Sequence, residues 1–248
     1  MSLRPLRRGK TATPPRAKRG EESLFDGNRL SIHTVYRNMP RYLTDQDIAD
    51  FRAELCKVAT ERFARFGYEG VTMRQLAEAL GCSPKTPYRY FKDKADILAT
   101  VRGQAFAKFA DALEAALADA PDDPAVRAQR TGEAYFRFAM KNPHAYRIMF
   151  DINAPIDDSH PDLGPQADRA ATYITRTANS LVEAGIIDVD PTMFGYAMWA
   201  ATHGLVMLHQ AGMLEHAPDY RTLAHFHGAL MFKGAAPTDP AKKPGKKR

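Results

Sequence analysis

Cysteine is scarce in this 248-residue sequence: there are only Cys56 and Cys82, alongside a single tryptophan, Trp199. Two cysteines in otherwise helical-looking segments exclude a disulfide framework and fit a reducing cytosol better than a secreted mini-protein. No run of 18 apolar residues occurs and the mean hydropathy is −0.43, so no helical membrane span is expected. The opening MSLRPLRRGK is basic, but no apolar core follows it, so no secretory signal is expected. Sustained two-residue alternation with β-branched side chains is missing, which leaves little case for strands. P-loop, dinucleotide fingerprint, nucleophile elbow and paired-carboxylate scaffold are all absent from the sequence, and an enzyme is not expected. The eight histidines lack metal-ligand spacing: His203 and His209 lie six apart, and His225 and His227 two apart. No metal and no other cofactor is expected. Asp157-Asp158-Ser159-His160 looks catalytic in isolation, but it sits in a proline-bounded loop and reads as a polar linker.

Positive charge, by contrast, is present and unevenly placed. Residues 1–41 hold 10 Lys/Arg against 3 Asp/Glu, a net +7, and residues 42–102 carry +1. Residues 103–232 hold 9 against 16, a net −7, and residues 233–248 carry +5. A basic front end and tail thus bracket an acidic body, which points to a polyanion partner at one end of the molecule. Residues 1–23 have almost no apolar side chains and read as disordered, as does the tail from Gly234.

Between them everything reads as helix. Thr44 with Asp47, and Thr72 with Gln75, resemble capping boxes at the heads of two helices. Ser83-Pro84 reads as an N-cap followed by proline at the first helical position, heading a short third helix to about Phe91. Asp93 caps a long helix to about Asp119. Asp123-Pro124, Asn142-Pro143 and Asp190-Pro191 repeat the cap-plus-proline signal for helices near 124–141, 143–150 and 191–211. Further helices fit 162–184 and 219–233. The expected class is all-α with about nine helices, divided as a basic extension 1–40, a helical unit 41–102, a body 103–233 and a basic tail 234–248.

The stretch from Thr72 to Lys94 pairs two short helices across a tight glycine-containing turn, with small Ala77 where they cross: a helix-turn-helix. The second helix of such a motif inserts its N-terminal end into the major groove. Here that end offers Lys85, Thr86, Tyr88 and Arg89, whose side chains can donate to guanine edges or phosphates. Val71, Leu76, Ala79, Leu80, Phe91 and Ile97 form the expected core-facing set.

With FARFGYEGVTMRQLAEALGCS followed by TPYRYFKDKADIL, the chain resembles the TetR family of bacterial transcriptional regulators. The resemblance implies that Thr72, Ser83, Lys85, Thr86, Tyr88, Arg89, Tyr90 and Lys94 touch DNA. Pro87 departs from the family's commonest residue, leucine. Trp199, His203 and Gly204 resemble the Trp…His-Gly signature of one C-terminal subgroup. The resemblance further implies a homodimer on a palindromic operator in double-stranded DNA, paired through helices near 191–211 and 219–233. It also implies a pocket for a small apolar effector, with candidates Phe106, Tyr135, Phe138, Met149, Phe150, Tyr173, Trp199 and His203. The expected protein is a bacterial, cytoplasmic regulator, nucleoid-associated when bound, and a repressor. The alternative is an architectural basic DNA-binding protein without an inducer, which would show a steep salt slope and little sequence preference. Because residues 1–40 carry so much charge without a core, deleting them is expected to weaken binding to all sequences and flatten the salt dependence. The preferred sequence should stay unchanged. Titrating affinity against salt concentration for both chains checks this, and an unchanged slope would mark a passive tail.

Overall fold

The computed structural model describes residues 44–151 and 160–238. The expected disorder of residues 1–23 and of the tail beyond 238, and the Asp157–Ser159 part of the linker, lie outside the described residues; Gly234 and Ala235, expected in that tail, instead close the last helix, with Ala235 buried. Among the described residues the chain forms eight α-helices and one 3-10 turn, and no strand. In order they are α1 (Asp45–Phe66), α2 (Met73–Ala79), the 3-10 turn (Pro87–Arg89), α3 (Lys94–Ala118) and α4 (Pro124–Lys141). Then follow α5 (Pro143–Met149), α6 (Gly164–Glu183), α7 (Pro191–Gln210) and α8 (Tyr220–Ala235).

Local chemistry accounts for most of these boundaries. Thr44 and Thr72 each close a full capping box, with Asp47 and Gln75 reaching back to the cap amide. Asp93, Asp123, Asp190 and Asp219 accept from first-turn amides of α3, α4, α7 and α8. Asn142 is different: its Nδ2 donates back to the Phe138 carbonyl at 3.0 Å, closing α4 rather than capping α5. Gly67, at φ +72°, ends α1 in the left-handed region that other residues avoid.

The third helix departs from expectation. Residues 84–86 form a turn, and only Pro87–Arg89 is helical, as a 3-10 turn. Pro87 has no amide to donate to the Ser83 carbonyl, so an α-helix begun at Pro84 would lose the bond of its first full turn. The chain instead closes three-residue steps, Thr86 to Ser83 at 2.8 Å and Arg89 to Thr86 at 3.0 Å. Ala79, expected in the core, is exposed, while Ala77 is fully buried at the helix crossing.

Two main cores stack along α3. The first gathers Phe51, Leu55, Phe63, Leu76, Leu80 and Phe91 around Ile97 and Val101 of α3, joined by Ile148 from α5. The second packs Phe109 and Leu113 of α3 against Tyr135, Phe138, Tyr146 and Met149. A smaller cluster joins Leu181, Ile187 and Phe194. Thus α3 runs unbroken across the expected 102/103 division. Where it does so, a Cβ on Gly103 would lie 1.8 Å from the Asp162 carbonyl oxygen, so only glycine fits that crossing.

Candidate nucleic-acid interface and internal cavity

After Gly81 (φ +66°) the chain enters the segment expected to read DNA. Ser83, Lys85 and Arg89 are exposed, and Tyr88 is 56% exposed, a large aromatic turned into solvent. No hydrogen bond or ion pair engages the side chains of Lys85, Tyr88 or Arg89 among the described residues. Exposed donors without internal partners are free to meet phosphates and base edges. Ser83 Oγ accepts from the Lys85 amide at 3.4 Å, and Thr86 is half-buried. Buried Pro87 anchors this segment to the core beneath it. Thr72, also exposed, accepts from the Gln75 amide at 3.2 Å through Oγ1.

Tyr90 and Lys94 are placed otherwise. The Tyr90 ring packs on Phe51 at 4.4 Å between centroids, and its hydroxyl is buried without a hydrogen-bond partner. Lys94 Nζ donates to the Tyr68 carbonyl at 2.8 Å and lies 3.9 Å from the centre of the Tyr68 ring. Both side chains therefore brace the motif from within. Sequence reading missed a third brace, Arg52 of α1, which sits 4.1 Å over the Phe91 ring and donates to the Tyr90 carbonyl. Its partners are 38 residues away, so no local pattern marks it.

The buried hydroxyl yields a test that separates an internal role from a DNA contact. Tyr90→Phe is expected to raise stability by about 1 kcal/mol, because an unsatisfied buried hydroxyl is removed, and to leave operator affinity unchanged. Denaturant midpoints and gel shifts on the same variant check both halves. A drop in affinity with stability intact would show that the hydroxyl swings out to DNA.

The body holds a cavity of about 320 Å³, partly open to solvent, between α3, α4, α6 and α7. Of the candidates that the resemblance implies, Phe106, Tyr135, Phe150, Tyr173 and Trp199 line it. Phe138, Met149 and His203 do not; they pack behind the wall. The lining also includes Thr131, Ile174, Thr177, Phe194, Met198 and Thr202, which hydrophobic periodicity alone did not single out. Among the described residues that line it, none carries a charge.

At one wall a polar chain runs inward. Trp199 Nε1 donates to the Tyr135 hydroxyl at 3.2 Å, Tyr135 and Tyr146 share a hydrogen bond at 2.6 Å, and Tyr146 meets His203 Nδ1 at 2.7 Å. Burial pushes the Tyr135 phenol up to about 12, and raises that of fully buried Tyr146 further in the same direction, so both stay protonated. Burial likewise holds His203 below the ordinary histidine value of 6.5, which keeps the ring neutral. The sign follows directly. Below 6.5 the unfolded chain takes up this proton before the folded chain does, so stability falls with pH from 6.5 down to the folded-state value. Denaturant midpoints across that window should fall less steeply for His203→Gln than for the native chain. An identical slope would refute the shift.

No group of three or more His, Cys, Asp or Glu side chains among the described residues is placed to hold a metal ion. Nor is any described helix long and apolar enough to cross a membrane.

These features recur in known proteins. Residues 55–101 match the family model for bacterial regulatory proteins of the tetR family, and residues 128–231 match that for the tetracyclin repressor-like C-terminal domain. Among solved structures, a Rhodococcus sp. RHA1 protein of unknown function aligns with TM-score 0.66 and 21% identity, over 81% of this chain and 100% of its own. The TetR family transcriptional regulator PfmR from Thermus thermophilus aligns with TM-score 0.60 and 23% identity, over 72% of this chain and 97% of its own. A TetR family transcription regulator from Marinobacter aquaeolei VT8 gives TM-score 0.59 and 21% identity, over 77% and 95%. No curated relative matches the sequence. At such identities the solved structures speak for the fold, and the two family matches cover both the exposed segment around Lys85 and Arg89 and the cavity-bearing body. The chain belongs to the TetR family of DNA-binding transcriptional regulators.

Proposed function

We propose that this regulator is a homodimeric repressor, released from a palindromic operator when a small apolar molecule fills the cavity. In this reading Thr72, Ser83, Lys85, Thr86, Tyr88 and Arg89 meet the DNA, and Trp199 with His203 and Gly204 marks the effector-binding subgroup. The observation that carries it is the course of α3. Ile97, Leu98 and Val101 at its start belong to the core of the helix-turn-helix, while Phe106, Phe109 and Leu113 farther along line the cavity. A helix shared by two cores transmits a shift at one to the other, because packed side chains exchange between discrete arrangements rather than deforming smoothly. A ligand that fills the cavity better in one arrangement favours it, and the DNA-reading segments of the two subunits then no longer match the groove spacing. The units 41–102 and 103–233 are accordingly divisions of labour, not mechanically separate bodies.

The test is to titrate a panel of apolar compounds onto the operator complex while following Trp199 emission and DNA release together. Both signals should change over one concentration range, and Trp199→Phe should abolish the emission change while release persists. Release without any change in Trp199 emission would place the effector elsewhere.

The dimer rests on a second observation. On α7 Met193 is 72% exposed and Leu208 44%, and on α8 Phe226 is 62% and Leu230 53% exposed. Large apolar side chains on two neighbouring helices form the kind of patch that monomers rarely leave open. Leu230→Lys is expected to give a monomer that no longer holds its operator, whereas half-buried Leu205 is the poorer site for such a charge. Half-site centres about 34–36 Å apart, or a multiple, are expected from two-fold symmetry. Sedimentation of the variant checks the first statement; a native chain that is monomeric at micromolar concentration overturns it.

A further inference from the structure

We infer that the cavity selects a neutral molecule carrying one hydrogen-bond acceptor, such as the carbonyl of a ketone or ester. The acceptor binds by reversing the hydrogen-bonded chain from Trp199 through Tyr135 and Tyr146 to His203. This rests on the reading of the cavity as the effector site.

The chain has two possible senses, because each hydroxyl owns one proton and a neutral imidazole owns one N–H. In the first sense every proton points inward. Trp199 donates to Tyr135, Tyr135 to Tyr146, and Tyr146 to His203 Nδ1, with the imidazole proton on Nε2. Tyr135 then faces the cavity with a lone pair only. In the second sense His203 Nδ1–H donates to Tyr146 and Tyr146 donates to Tyr135. Tyr135 then accepts from both Tyr146 and Trp199, and its own proton points into the cavity. The empty site keeps the first sense, since there every proton of the chain is met within the chain, whereas the second sense leaves the Tyr135 proton without a partner in it. An acceptor beside Tyr135 removes that penalty and stabilises the second sense.

Three features favour an acceptor over other groups. The Trp199 bond is fixed in direction, because an indole nitrogen only donates, so Tyr135 always has one lone pair already used. In the second sense two donors converge on the Tyr135 oxygen, which polarises its O–H and strengthens the bond it gives to the ligand. Finally, no charged side chain lines the cavity among the described residues, so an ionised carboxylate would be desolvated without a counter-charge. Reversal moves the imidazole proton from Nε2 to Nδ1 by exchange with water and turns two hydroxyls. The total number of protons on the three side chains is unchanged. Tyr146 and His203 are thus positioning residues for specificity, although neither faces the cavity.

The test uses the full chain with three probes of equal length, 2-nonanone, nonane and nonanoate. By Trp199 emission, 2-nonanone should bind about 5–10-fold more tightly than nonane, the value of one net hydrogen bond, and nonanoate should bind least tightly. Tyr135→Phe should bring 2-nonanone down to the affinity of nonane or below it, because the buried carbonyl then has no donor, without altering nonane itself. With 15N-histidine, and His203 assigned from the His203→Gln variant, 2-nonanone should convert Nδ1 from an acceptor nitrogen to an N–H. Nonane should not. In Tyr146→Phe the ketone should still bind, but His203 should cease to respond, an uncoupling that lost packing alone does not produce. Equal affinities for ketone and alkane, tightest binding of nonanoate, or an unaltered Nδ1 in the ketone complex would each overturn the inference while leaving the cavity as an effector site. If none of the three probes perturbs Trp199, the effector reading falls and this inference falls with it.

Discussion

Alanine at both Lys85 and Arg89 is expected to lower affinity for the native operator by about 30-fold to about 10⁴-fold, from about 1–3 kcal/mol for each lost base contact. Both side chains stand in solvent with no internal partner among the described residues, so their removal takes nothing from the fold. The drop should be much smaller on scrambled DNA, because direct base contacts contribute only at the correct sequence. If one of the two instead meets a phosphate, its share appears as a uniform loss and as a reduction of about one in the salt slope. Each single variant, measured by gel shift on native and scrambled DNA at two salt concentrations, assigns the role. Wild-type affinity in the double variant would remove the 3-10 turn and its approach from the interface.

Phe51→Ala is expected to destabilise the chain by about 3–5 kcal/mol, the usual range for emptying a phenylalanine site in a core. Phe51 is completely buried on α1, and the ring of Tyr90 lies on it. Operator binding should fail as well, since the void lies directly beneath the segment that presents Tyr88 and Arg89. Denaturant unfolding followed by circular dichroism gives the stability change, and a loss below about 1 kcal/mol would mean that the site collapses freely. Set beside Tyr90→Phe, which should stabilise, the pair distinguishes the ring's packing role from the hydroxyl's idleness.

The helix starts were legible because their signals are local. A cap residue followed by proline needs only neighbouring backbone, and at Asp123 and Asp190 that chemistry opened helices where the sequence put them. At Asn142 the helix also opens as expected, on the following proline and without a side-chain cap. Ser83-Pro84 carries the same signal and failed, because Pro87, three residues on, withholds the amide that the first turn requires. Tyr88 and Tyr90 also look alike in sequence. One faces solvent and the other the core, and the geometry of a 3-10 turn, not an α-helical period, decides which. The cavity was half legible. Aromatic residues marked the right helices, but which face borders a void depends on how α3, α4, α6 and α7 stand relative to one another. That is why Phe138 and Met149 lie behind the wall and Thr177 lies on it. The hydrogen-bonded chain was illegible altogether, since Tyr135 and Trp199 meet across 64 residues of sequence.

The unbroken course of α3 also constrains how this protein can be recombined or altered in length. Each residue added to an α-helix turns everything beyond it by about 100° and advances it by about 1.5 Å. A single insertion within α3, between Val101 and Phe106, would therefore swing the DNA-reading head to a different azimuth on the body even if every core side chain found a place. A hybrid that joins a foreign head to this body faces the same phase condition. Its junction must preserve the angular register of α3, and at Gly103 it must also preserve the absence of a side chain, because the carbonyl of Asp162 occupies that volume. Deletions and insertions in this helix should consequently be tolerated only in whole turns, while the turn between α3 and α4, at 119–123, carries no such phase and is the place where length can vary.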